Sequence, residues 1–142
     1  MLNSLNTKRN RIILAIVIVV GFIITVVVIA QQQIAQEAGR IIVSGVNVKD
    51  PRSTKLLENK QGDIVFNKTD GFEIVYLPKF EQFLISITAS PFVENEQAAE
   101  DELLTRLGIS EEEACQLNVI ITTPQSVNPN EAGKNYGLSF CE

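Results

Sequence analysis

The chain has 142 residues, of which 12 are Lys or Arg, 17 are Asp or Glu and none is His, giving a net charge of −5 at pH 7. The missing histidine removes the commonest general base and metal ligand. The acid excess repels phosphate backbones and so argues against nucleic acid as a partner.

The charges are unevenly placed. Lys8, Arg9 and Arg11 stand in the leader at residues 1–11, which holds no acid. Every acid follows residue 30, where 17 acids face 9 bases. Between them, residues 12–30 read IILAIVIVVGFIITVVVIA, with no charge and with Thr25 as the only hydroxyl. About twenty apolar residues, at about 1.5 Å each in a helix, cross the ~30 Å hydrocarbon core of a bilayer. The spacing predicts a transmembrane helix, and the three basic residues before it predict a cytoplasmic N-terminus. The expected location is therefore the cell membrane, single-pass, with the bilayer as first partner and the C-terminal part outside the cytoplasm. Small residues around Val28-Ile29-Ala30 leave open a cleaved signal peptide, although such apolar regions usually run about 7–15 residues. Gly21 and Thr25 form a small-xxx-small pair of the kind found at helix–helix contacts in membranes.

Residues 31–62 read as a juxtamembrane extension and linker. QQQIAQEAG favours continuation of the helix to residue 38, with Gly39 as its stop. Residues 41–48, IIVSGVNV, predict one strand or extended segment that ends at Asp50-Pro51. A loop follows, with a helical turn expected at residues 54–59. Asn67-Lys68-Thr69 matches the N-glycosylation sequon.

Residues 63–142 carry the signals of a folded domain. Residues 64–66 add a short strand. FEIVYL alternates, with Phe72, Ile74 and Tyr76 on one face, and FLISIT repeats the pattern with Phe83, Ile85 and Ile87. A short polar link between them predicts an antiparallel hairpin. Ser90-Pro91 reads as a capped helix start. The helix then runs over residues 92–107, with Phe92, Ala99, Leu103 and Leu107 on one face and Gly108 as the stop. Ser110 and Glu113 form a capping box that opens a short second helix. NVIITT, from Asn118, predicts a further strand, and YGLSFC predicts a closing edge strand. The expected fold is an α+β domain of two layers, an antiparallel sheet packed by one long and one short helix.

Cys115 and Cys141 are an even pair in a domain expected outside the cytoplasm, which favours a disulfide. Closing a loop of about 25 residues contributes ~3 kcal/mol on the chain-entropy model. Two thiols without histidine make a poor metal site, and the CxxC spacing of a redox pair is absent. The acids at residues 100–102 and 111–113 lack the alternation and glycine of a calcium loop and read as a solvated face. No serine has a histidine to activate it, and no glycine-rich phosphate loop is present. The sequence therefore predicts a non-enzyme, with no cofactor.

An apolar N-terminal helix, a β-rich globular part and a cysteine pair at the C-terminus resemble the layout of type IV pilins and pseudopilins. That family carries a leader ending in glycine, then an aromatic residue and a glutamate at the fifth mature position. Gly21-Phe22 is the candidate here, and Val26 stands at the fifth position. The resemblance implies a filament subunit and stays as an alternative. The main expectation is a membrane-anchored interaction or scaffolding protein, an accessory subunit of an envelope or membrane assembly with protein partners and a possible homo-oligomer. A secreted ligand-binding domain is the third reading.

Overall fold

The computed structural model describes Val20, Gly21 and residues 39–141. Val20 and Gly21 are helical. The leader with Lys8, Arg9 and Arg11, the rest of the apolar stretch and residues 31–38 lie outside the described residues. Among the described residues no helix is long and apolar enough to cross a membrane. The chain divides into two units, Met1–Ala38 and Gly39–Glu142.

The second unit opens with a hairpin of β1 (Arg40–Val43) and β2 (Val46–Lys49). This corrects the single extended segment expected there. Ser44 and Gly45 have φ of 50° and 87°, the positive values that a two-residue turn with the right twist requires. Val43, Val46 and Val48 are buried in the core, so a stretch read as linker supplies core packing. The turn is tied down where the Ser44 amide donates to Glu81 Oε2 at 3.1 Å.

A 3-10 turn covers Pro51–Thr54, capped by the Asp50 carboxylate, which accepts from the Arg52 amide at 2.9 Å. The helical turn expected over residues 54–59 is instead the short strand β3 (Leu57–Glu58). Asn59 explains the difference. Its Oδ1 accepts from the amides of Gln61 at 2.9 Å and Asp63 at 3.0 Å. Such an Asx turn reverses the chain rather than continuing a helix, and it feeds β4 (Ile64–Lys68).

β5 (Phe72–Leu77) and β6 (Gln82–Ile87) pair antiparallel, with strict alternation of burial along both. The inward residues are those the period-two pattern selected: Phe72, Ile74 and Tyr76, then Phe83, Ile85 and Ile87. A bulge between Val65 and Asn67 sends both Phe66 and Asn67 into the interior, as an extra residue in one strand does.

The helix α1 (Phe92–Leu107) packs across β5 and β6. Pro91 occupies the N-cap without a side-chain cap, which corrects the expected Ser90 cap. Asn95 Nδ2 donates to the Pro91 carbonyl at 2.7 Å, which ties the first turn but does not cap its free amides. At the other end Gly108 has φ 62°, and its amide returns to the Leu104 carbonyl at 2.8 Å. The short helix α2 (Glu111–Ala114) carries the complete Ser110–Glu113 capping box, and β7 (Asn118–Thr122) follows.

The main sheet has five strands in the order β3-β4-β5-β6-β7. β7 pairs with β6 in parallel, so the sheet is mixed rather than wholly antiparallel. The helical crossover from β6 is the connection that a parallel neighbour demands. The closing edge strand expected from YGLSFC reduces to one bridge between Ile121 and Tyr136. Beyond it the chain turns away from the sheet, with Leu138 buried in the core.

Candidate functional site

Cys115 and Cys141 form a disulfide with Cα atoms 5.6 Å apart. The capping box fixes α2, and the Cys115 amide donates to the Glu111 carbonyl at 3.0 Å as the helix ends. Cys141 is delivered by the long loop that follows β7.

That loop is fastened along its length. Thr123 Oγ1 donates to the Ile87 carbonyl at 2.9 Å. Asn128 Nδ2 donates to Thr123 Oγ1 at 2.9 Å and to the Ala89 carbonyl at 3.2 Å. The Tyr136 ring lies against Phe92, with centroids 5.2 Å apart. Ser139 donates both its amide and its hydroxyl to the Glu100 carboxylate, the hydroxyl at 2.6 Å.

Three carboxyl groups govern the electrostatics where α1 meets this loop. Glu100 is buried, and its oxygens are occupied by Ser139. Glu96, one turn earlier, is also buried. Loss of solvent, helped by the like charges of Glu100 and Glu131, pushes its pKa above the ordinary carboxylate value. Glu131 goes the other way. The Tyr136 hydroxyl donates to it, Lys134 pairs with it at 3.1 Å, and both hold its pKa down, the tyrosine most. The same contacts raise the pKa of Tyr136 and of Lys134.

Beside these groups lies a cleft of about 310 Å³ between the start of α1 and residues 127–131. Phe92, Val93, Val127 and Pro129 give it apolar walls, and Glu94 and Glu131 line it too. Among the described residues no group of three or more His, Cys, Asp or Glu side chains is arranged to hold a metal ion.

The acids at residues 100–102 and 111–113 do not form one solvated face. Asp101, Glu111 and Glu112 are exposed, and Glu102 pairs with Arg106 at 2.7 Å. Glu100 faces inward instead. A signal for it exists in the sequence: Glu96 and Glu100 stand four and eight residues after Phe92, on the same stripe as Leu103 and Leu107. Asn67 of the sequon is buried at the bulge, and its Nδ2 has no hydrogen-bond partner among the described residues. The folded unit therefore presents no accessible acceptor there for a glycan.

No family model, curated protein or solved structure matches this chain.

Proposed function

We propose that this chain is a single-pass protein of the cell membrane, anchored through residues 12–30. In this reading its N-terminus is cytoplasmic and its disulfide-bonded α+β unit works outside as a non-enzymatic interaction module, an accessory subunit of a larger assembly. The observation that carries the reading is the Cys115–Cys141 disulfide. Structural disulfides persist in oxidising compartments and are rare in the reducing cytosol. The uncharged stretch and the bases confined to its N-terminal side support the same orientation. A module that works by contact needs a rigid surface rather than an activated nucleophile. The many fastenings of the C-terminal loop agree with that role.

Carbonate extraction of membranes holding the full chain, followed by intact mass measurement under non-reducing conditions, tests the proposal. The expected product stays in the washed membrane with residues 1–30 attached and two hydrogens lost to the disulfide. A soluble product cut after Ala30 would establish the secreted reading instead, and loss of a leader ending at Gly21 would establish the pilin-like one.

A further inference from the structure

The core lies on one face of the main sheet, and the opposite face carries an aliphatic row. Leu57 pairs with Val65, Val65 with Val75, Val75 with Leu84, and Leu84 with Ile120. One aliphatic side chain from each of the five strands thus lines up across the sheet. None of the five belongs to the core cluster. Leu57 is 63% exposed and the other four are partly exposed. Ordinary outward positions of a solvated antiparallel sheet are polar, so a continuous row of this kind calls for a partner.

We propose that this face is where a second copy of the chain docks, sheet against sheet, which rests on reading the unit as an interaction module. Charge selects the partner. Within the strands of this face the charged side chains are Lys68 and Glu73, paired at 2.6 Å. The helical side is acidic, with Glu94, Asp101, Glu111 and Glu112 exposed. Two copies of an acidic protein repel one another through that side and meet without net repulsion through the balanced one.

The row also suits self-pairing. β5 is the middle strand of the five, so Val75 marks the centre. A two-fold axis lying between two stacked sheets and running along β5 sets Val75 against its own counterpart. It sets Val65 against Leu84 and Leu57 against Ile120. Such an isologous contact is the commonest form of homo-oligomer.

Size sets the strength. The five strands, of two, five, six, six and five residues, lie about 4.8 Å apart and rise ~3.3 Å per residue, so they present roughly 400 Å² per copy. The total of about 800 Å² falls below the range of stable specific interfaces, so the contact is a weak, transient dimer.

The test exploits the two-fold. Full chain in mild non-ionic detergent is compared by sedimentation velocity with Val75→Lys, with Val75→Asp and with an equimolar mixture of the two. Circular dichroism melting confirms that each variant is folded. The wild type is expected to form a dimer whose fraction rises with concentration in the micromolar range. Each variant alone places like charges across the axis and weakens association at least about tenfold, and the mixture restores it. A wild type that stays monomeric would overturn the proposal, as would variants that associate unchanged. Loss in both variants without recovery in the mixture would also overturn it, by showing that the face meets some other surface. A negative result in any of these forms leaves the membrane reading standing, because carbonate extraction decides that separately.

Discussion

Glu96 and Glu100 occupy positions where an amphipathic helix normally places leucine or alanine, and the two are stabilised differently. Glu100 is satisfied by Ser139. Gln keeps one acceptor oxygen where Glu100 uses two, so one of the bonds is lost and we expect a loss of about 1–3 kcal/mol in urea unfolding. Glu96 has a raised pKa from burial and like charges. The folded state therefore holds its proton more tightly than the unfolded chain does. Its favourable contribution is complete below the unfolded-state pKa and is lost as pH rises through the folded-state value. Glu96→Gln should accordingly raise Tm at pH 7, and the gain should shrink towards pH 4, as calorimetry across that range would show. A gain that grew on acidification would reverse the sign of this account. Glu131 behaves oppositely, since its lowered pKa makes its contribution present at neutral pH and lost on acidification.

At the scale of elements, α1 and the disulfide hold the unit together. Leu103 is fully buried beneath the sheet, and Leu103→Ala should cost about 2–5 kcal/mol in the same unfolding experiment. Reducing the bridge frees a loop spanning a sequence separation of 26. Stability should fall by ~3 kcal/mol, with hydrogen exchange first accelerating in residues 123–141. The elements that carry strong periodicity were legible in the sequence. β5 and β6 alternate cleanly, α1 ends on Gly108, and Ser110-Glu-Glu-Glu announces its capping box. The short elements were not. Four-residue strands around Ser44-Gly45 give too little period to separate a hairpin from one extended run, although that dipeptide is itself the turn. The parallel pairing of β7 was hidden for another reason: alternation reports which face is buried and says nothing about strand direction. The closing strand failed because Leu138 is drawn into the core, which a run of mixed polar and apolar residues does not announce. Of the site, the cysteine pair was legible and the inward acids were not, since consecutive acids suggest solvent before their place on the helical stripe is counted.

At the scale of the whole molecule, the proposed function rests on where the folded unit is held. The disulfide, the charge-free residues 12–30 and the confinement of early bases to Lys8, Arg9 and Arg11 all favour one orientation. On the proposed reading, a weak dimer through the open sheet face would gain from membrane anchoring, because tethering two copies to one surface raises their effective concentration without any new contact. The most direct measurement is protease accessibility of residues 39–142 in spheroplasts of bacteria expressing the full chain, with cytosolic and periplasmic markers alongside. The account predicts cleavage from outside while the cytosolic marker survives, with Cys115 and Cys141 joined in the released fragment. A unit that is protected until the membrane is broken, with both thiols free, would contradict it.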